Sequence, residues 1–500
     1  MWECEWELLK NTNADVKTFC LNAKAEYLVP PLVPKDAFFG GRTNAVKLFK
    51  ETDVLAGETI HYDDVCSLYP FVCKYGEFPV GHPTEILYGS ACDGKNVTSI
   101  KGLIKCKVLP PPVLYHPVLP YRSGGKLLFP LCRTCAEECV QAFCTHTDEE
   151  RSLTGTWVSL ELQKAVELGY KVVKIYEIWH YKTTKFDKQT KTGGLFDKYV
   201  NKFLKLKQEA SGWPQWCVSE EDKVRYIEEY ERKEDIRLDR NNIQSNPGFR
   251  SIAKLLLNSF WGKWGQRDNF TEAKLFNDPA EIAGVFEDPS VDIQSFHPIS
   301  DEVMLITTKA TEEAIIPSKK SNVVLAAFVT AQARLKLYSY LEKLQHRVLY
   351  FDTDSVVYTR RPGEQLLERG DYLGDLTDEL AAYGEGSFIS TFVSGGPKNY
   401  GYEVAVKGDR SNKQTVCKVR GISLNYRASR LVNFETIKRS ILNEIAPILV
   451  PIPYKIVRRP EWRITTTSQS KIYRVVYTKR RRLEGSYDTL PYGTKRIRLS

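Results

Sequence analysis

The sequence predicts an α/β fold interrupted by two inserted modules, and three observations carry that expectation. Helical runs feed β-type runs, as where Trp157–Leu168 precedes the alternating apolar pattern of Tyr170–Tyr181. Two strand-like runs, Glu58–Asp64 and Val348–Phe351, each lead directly to acidic residues. Two stretches interrupt the alternation, 84–155 with prolines and a cysteine cluster and 267–310 with no clear period.

In chain order, residues 1–37 carry aromatic residues without a period and are punctuated by Pro30, Pro31 and Pro34, which reads as a linker. Phe38-Phe39-Gly40-Gly41-Arg42 follows, either a plain turn or a place where backbone can approach a phosphate chain. The run to Asp64 continues through Cys66 and Ser67 to Pro70, which ends regular pairing. Residues 196–235 are charged and helical in composition. Ser245-Asn246-Pro247-Gly248 then opens a helix over Phe249–Trp261. Arg250, Lys254, Asn258 and Gly262 recur every four residues along one face of it, leaving Ile252, Leu255, Leu256 and Phe260 to pack on the other. An apolar helix over Asn322–Leu341 leads into a β-hairpin whose strands, Val348–Phe351 and Val356–Tyr358, flank the turn Asp352-Thr353-Asp354-Ser355. Tight turns favour Asp and Ser on their own account, so this hairpin by itself requires no chemistry.

Five hundred residues with 42% apolar content suffice for several domains around a large core. No apolar run approaches the roughly 20 residues of a membrane span. The amino terminus, Met1 to Asn11, lacks the pattern of a signal peptide, so an intracellular protein without membrane contact is expected. Twelve cysteines in such a chain point to metal ligands or buried thiols rather than to disulfides. Cys132-x-x-Cys135 with Cys144-x-His146 offers a structural Zn²⁺ site, with Cys139 and Cys106 as competing ligands and reduced thiols as the alternative. Of the net charge of +9, the last fifty residues hold 13 Lys and Arg against 3 Asp and Glu, including Lys479-Arg480-Arg481-Arg482. Such a tail suits nucleic acid, although a solvated charge run or a nuclear-import signal has the same composition.

Asp64 and Asp354 lie 290 residues apart, each at the end of a predicted strand. Strands brought side by side would pair their carboxylates, and two hard oxygen ligands completed by waters and phosphates suit Mg²⁺. Two such ions support an in-line phosphoryl displacement.

Asp64-x-x-Ser67-Leu68-Tyr69-Pro70, Lys254-x-x-x-Asn258-Ser259-x-x-Gly262 and Tyr350-x-Asp352-Thr353-Asp354-Ser355 resemble, in order, motifs A, B and C of B-family DNA polymerases. Gly396-Pro397-Lys398-Asn399-Tyr400 and Lys418-Val419-Arg420-Gly421-Ile422 resemble the lysine motifs of that family's protein-primed branch, and Phe39-Gly40-Gly41 resembles its linker motif. Residues 131–135, 147–157 and 175–179 are similar to the polymerases of Maverick or Polinton transposons.

The resemblance implies a right-hand polymerase core with two inserted subdomains. Its palm would run over 38–90, 156–235 and 320–400, its fingers over 236–267 and its thumb and basic tail over 401–500, with insertions at 91–155 and 268–319. It implies a DNA-directed DNA polymerase taking template and primer DNA and deoxynucleoside triphosphates, with two Mg²⁺ ions held by Asp64 and Asp354 and Asp352 as a neighbouring acid. Ser67, Leu68, Tyr69, Arg250, Lys254 and Asn258 would bind the nucleotide, Tyr69 excluding a 2′-hydroxyl. Gly40, Gly41, Arg42, Gly262, Lys398, Tyr400, Lys418 and Arg420 would contact DNA. A terminal priming protein follows as a partner, and a nuclear location follows for a eukaryotic element. Family members carry an exonuclease domain before motif A, whereas only 63 residues precede Asp64, so the resemblance implies that proofreading is missing. The alternative on the same residues is a nucleic-acid-binding relic without polymerase activity.

Overall fold

A computed structural model describes residues 3–22, 29–316, 318–406, 409–443, 445–459 and 463–496. Positions 460–462 and 497–500 of the basic tail lie outside the described residues. Apolar residues, mostly β-branched and aromatic and in unbroken runs in the two strands of the hairpin, build a nine-stranded sheet whose main path runs Thr43–Ala45, Val348–Asp352, Ser355–Arg360, Thr59–Val65, Phe388–Gly396, Asn399–Val406 and Asp409–Lys418. Leu376–Asp378 pairs with Thr59–Val65, and Phe49–Glu51 pairs with Phe388–Gly396. All pairs in this sheet are antiparallel. Its central hairpin is therefore flanked on both sides by chain from the first seventy residues.

Helix Val323–Leu344 covers one face of the sheet. Asn322 caps it, its side chain accepting a hydrogen bond from the Leu325 N–H at 3.1 Å. The helix is apolar nearly all round because it is buried on two sides. Ala327, Phe328 and Leu341 join Val348, Phe351 and Val356 of the hairpin in one cluster, while Tyr338 reaches a second cluster beneath the neighbouring sheet. Arg334, on the same helix, is buried and forms a bidentate pair with buried Glu161 at 2.8 and 2.7 Å, and its remaining nitrogen donates to the carbonyls of Phe39 and Gly40. Phe434, Ile437 and Ile441 of helix Phe434–Leu442 seal the opposite face against Leu349, Val357 and Phe392.

The second sheet has four strands in the order Glu77–Tyr88, Lys171–Lys185, Gly102–Leu109 and Leu153–Val158. It corrects two expectations. Trp157 lies in a strand, fully buried with its indole N–H on the Pro120 carbonyl at 3.0 Å, and the helix spans Ser159–Glu167. The expected boundary at 155 therefore cuts a strand, because residues 77–185 pair as one sheet. The boundary at 400 likewise cuts Asn399–Val406, since the main sheet continues to Lys418. Residues 1–37 are not a bare linker, for Glu3–Thr12 and Ala14–Asn22 are helices. Residues 272–310 form a three-stranded antiparallel sheet of their own with helix Pro279–Glu287, and Ile448–Arg458 pairs with Ile464–Tyr473 as a long hairpin.

Arg334 joins three parts of the chain through one buried cation, so Arg334→Met is expected to destabilise the protein by about 3–5 kcal/mol, because it strands the Glu161 carboxylate. Urea unfolding should show the loss, and the double variant Arg334→Met, Glu161→Leu should recover most of it; an equally damaged double variant would place the cost in packing instead.

Candidate active site

The period-two alternation of strand Thr59–Val65 gives its adjacent acids opposite fates. Asp63 faces the core, is fully buried, pairs with Arg369 at 2.7 Å and accepts the Tyr358 hydroxyl at 2.8 Å. Asp64 faces the other way and is half-buried at the strand's end, opposite Ser355 in register. The Val65 N–H donates to the Asp354 carbonyl at 2.7 Å, fixing the turn of the hairpin against the strand that carries Asp64. Asp64 and Asp354 are thus brought together, as the sequence predicts.

The turn is held from below. Thr353 adopts a left-handed φ of 60°, and its N–H donates to the Arg42 carbonyl at 2.8 Å. A Cβ at Gly41 would lie 2.6 Å from the Thr353 hydroxyl, so only glycine allows this approach. The Arg42 side chain lies against the rings of Phe129, Tyr338 and Phe351, and burial lowers its pKa to about 10. This corrects its expected DNA contact. The charge is beneath the turn, and Gly41 and Arg42 are supports of the turn, while Gly40 lends its carbonyl to Arg334.

Asp352 is engaged by other groups: Lys398 at 3.1 Å, the Thr43 hydroxyl at 2.7 Å and the Tyr350 hydroxyl at 3.4 Å. Lys398 therefore neutralises an acid at the site. Among the described residues no cation forms an ion pair with Asp64 or Asp354. Burial, then the Asp354 charge, then that of Glu379 push the Asp64 carboxyl up to about 7, with Lys418 and Lys254 opposing. Burial, followed by the Asp352 charge, also raises Asp354. Glu379, exposed just beyond strand Leu376–Asp378, is a nearby acid that no sequence motif marks.

Beyond Asp64 the chain turns through Ser67, at φ 51°, into helix Leu68–Tyr75. Tyr69 stacks on Trp261 with ring centroids 4.3 Å apart, and burial pushes its hydroxyl up to about 12. Leu68 is buried and anchors this corner. The motif-bearing helix spans Pro247–Ser259, capped by Asn246, and continues as a 3₁₀ turn over Phe260–Gly265. Arg250, Lys254 and Asn258 are exposed on it, and space is open around Gly262. Its expected packing face is corrected in part: Phe260 packs against the core and Leu256 is half-buried, but Ile252 and Leu255 are exposed and Ala253 and Leu257 are buried instead, because helix Asp197–Glu209 packs from the other side. That helix contributes Lys207, whose pKa is lowered by burial, with Arg250 and Lys254 adding repulsion. Sequence reasoning missed it because nothing in a lysine-rich helix marks one lysine as inward.

Tyr400 is buried with its hydroxyl 3.1 Å from that of Tyr62, which corrects its expected DNA contact. Exposed Lys418 lies over the rings of Tyr62 and Tyr400. Arg420 lines a cleft of about 500 Å³ with Lys126, Lys471, Arg474 and Lys479. Cys132, Cys135, Cys144 and His146 converge, their ligand atoms all within 4.8 Å of one another.

Residues 35–216 match the family described as DNA polymerase type B, organellar and viral. The chain is 23% identical over 351 residues to a probable DNA polymerase of Neurospora intermedia, covering 67% of itself and 29% of that relative. It thus spans less than a third of that relative's length. Phi29 DNA polymerase complexed with primer-template DNA shares the fold at a TM-score of 0.54 and 15% identity, over 94% of this chain and 70% of that one. The phi29 ternary complex with primer-template DNA and incoming nucleotides matches at 0.53 and 15%, over 92% and 66%. No helix among the described residues is long and apolar enough to cross a membrane.

An Asp64 carboxyl raised from 3.8 to about 7 is disfavoured in its ionised form by the folded state. The penalty is absent when Asp64 is protonated in both states, near pH 4 and below, grows as pH rises towards about 7 and is constant above that. In metal-free buffer Asp64→Asn should therefore raise the thermal midpoint most above pH 7, with the gain shrinking on acidification and vanishing near pH ~4. A gain independent of pH would dissociate it from this charge.

Proposed function

We propose that the chain is a protein-primed B-family DNA polymerase core, a DNA-directed enzyme that extends a primer 3′-hydroxyl with deoxynucleotides and releases pyrophosphate; the family match over residues 35–216 and the fold shared with phi29 DNA polymerase support this reading. The observation that carries this reading is the pair Asp64 and Asp354, held at neighbouring strand ends without an ion-pair partner among the described residues and opposed only at a distance, by Lys254 and Lys418 at Asp64 and by Lys398 at Asp354.

The donor set fits a hard divalent cation: two half-buried carboxylates, raised in pKa by burial and by neighbouring acids, and open on one side to water. Asp64 and Asp354 would hold two Mg²⁺ ions, which when bound supply activation of the attacking hydroxyl and neutralisation of the triphosphate. The chain's own residues do the positioning. Arg250, Lys254 and Lys207 present positive charge from one side to the triphosphate, where phosphoryl transfer depends chiefly on alignment and charge stabilisation. The amino-terminal end of helix Leu68–Tyr75 offers backbone N–H groups beside it. Tyr69, fixed by its stack on Trp261, would lie under the sugar and exclude a 2′-hydroxyl. Lys398 withdraws the Asp352 charge, so that the acids nearest the reaction are Asp64 and Asp354. Arg420, Lys479 and their neighbours line a cationic cleft for the DNA backbone. A protein hydroxyl as the first primer, in replication of a viral or mobile element, is the finer part of this proposal.

Primer extension with Mg²⁺ on a defined DNA template tests it. Asp354→Asn should abolish extension, Lys254→Ala should lower kcat by roughly 10²–10³, and Tyr69→Ala should retain extension while admitting ribonucleotides. No extension by folded wild-type protein would leave the binding-only alternative; full activity of Asp354→Asn would overturn the site.

A further inference from the structure

We propose that Cys132, Cys135, Cys144 and His146 form a structural Zn²⁺ centre that fastens the carboxy-terminal segment, and with it one wall of the cationic cleft, to the module of residues 110–152, between strands Gly102–Leu109 and Leu153–Val158. The distances from the histidine nitrogen to the three sulfurs are those of a tetrahedral site. Ordinary Zn–S and Zn–N bond lengths put sulfur and nitrogen ligands about 3.6 Å apart. His146 Nδ1 lies 3.5 Å from Cys132 Sγ, 3.2 Å from Cys135 Sγ and 3.7 Å from Cys144 Sγ. The Cys135 N–H donates to Cys132 Sγ at 3.4 Å, a bond that favours a thiolate. Neither competing cysteine joins the group: Cys139 donates to the Ala136 carbonyl, and Cys106 is buried in the core of the second sheet.

The surroundings call for such a centre. The local core consists of Leu128, Cys132, Cys135, Ala136, Cys144 and Tyr492, so half of its buried residues are the proposed ligands. So small an apolar cluster stabilises little by burial and needs a cross-link. One member, Tyr492, arrives from the far end of the chain. The Leu131 N–H donates to the Tyr492 carbonyl at 2.7 Å and the Cys144 N–H to the Thr494 carbonyl at 3.0 Å, one bond on either side of the ligand set. Between them Gly493, at φ +88°, lies so close to Cys132 that any Cβ would collide with it.

The same segment extends back to the cleft. Arg481–Arg482 pairs with Thr489–Leu490, the Arg481 side chain donates to the Gln141 carbonyl at 2.6 Å, and buried Arg480 donates to the Tyr115 carbonyl. Lys479 precedes them and lines the cleft with Lys126, Arg420, Lys471 and Arg474. A centre that pins residues 491–494 therefore fixes where Lys479 stands relative to Lys126. The consequence for DNA affinity rests on the polymerase reading above; the metal centre and the docking of the segment do not.

Metal analysis of the purified full chain should find one zinc per molecule, retained in Cys139→Ser and lost in Cys132→Ser, Cys135→Ser. Replacement by Co²⁺ should give the absorption of a tetrahedral thiolate site. Loss of zinc should expose residues 477–496 to limited proteolysis and weaken binding of primer–template duplex about tenfold. Gly493→Val should keep zinc yet show the same proteolysis, and His146→Cys, which preserves four ligands, should keep both metal and protection. Folded wild-type protein free of zinc would overturn the centre, and zinc loss without any change in proteolysis would overturn the fastening. Metal content and protection are read without DNA or turnover, so an inactive polymerase would leave both results interpretable.

Discussion

Two carboxylates of like charge, Asp64 and Asp354, are forced together at neighbouring strand ends, and the rest of the main sheet can be understood as what tolerates that. Like charges at close range in a partly buried site cost on the order of a few kcal/mol. The hairpin that carries Asp354 buries Val348, Leu349, Phe351, Val356, Val357 and Tyr358, each worth roughly 1.5–3 kcal/mol of apolar burial as an upper bound. The repulsion is therefore smaller than the packing that imposes it. A register shift of one residue would move the acids apart but exchange the apolar side chains between the two covered faces, so that both clusters would have to repack.

The surrounding acids and arginines follow from the same constraint. Asp63 and Asp352 flank the pair, and an unpaired charge on either would add to the repulsion. Each is instead held in a partnership: Asp63 with Arg369 and Tyr358, Asp352 with Lys398 and Thr43. Arg42 and Arg334 then fix the loop beneath the turn, one by its carbonyl and its aromatic cage, the other by holding the Phe39 and Gly40 carbonyls against Glu161. Buried cations are expensive unless paired or stacked, and both are.

What could be read from the sequence was what depends on local pattern. The hairpin, the Asn322-capped helix, the strand to Asp64 and the motif helix from Pro247 all have short-range signatures in alternation, capping and turn residues. The acid pair also followed, because its two members end strands. Orientation within a strand or helix was less legible. Arg42 and Tyr400 stand beside motif glycines and lysines, yet tertiary packing turned both into the core. Lys207 and Glu379 sit in stretches of ordinary charge, and only the approach of other elements gives them neighbours. Boundaries failed at 155 and 400 for a related reason: a strand belongs to the sheet that pairs it, and proline or glycine content does not reveal the partner.

Charge in this molecule is thereby divided into zones. The acids meet at the strand ends, one cation group stands on the helices that carry Lys207, Arg250 and Lys254, and another lines the cleft beside Arg420 and Lys479. Burial lowers the pKa of Lys479 to about 8, with the nearby charge of Arg420 adding to the effect, so the cleft wall holds its cations under mutual repulsion. A polyanion entering that cleft relieves the repulsion at the same moment as it gains its own contacts, whereas the acid pair repels it until cations intervene. On the proposed function, the two zones would sort a nucleic-acid backbone into the cleft and leave the acid pair to the group that arrives with its own counter-charge. That separation depends on where the carboxy-terminal segment is held, which is why its attachment to the cysteine module matters beyond stability.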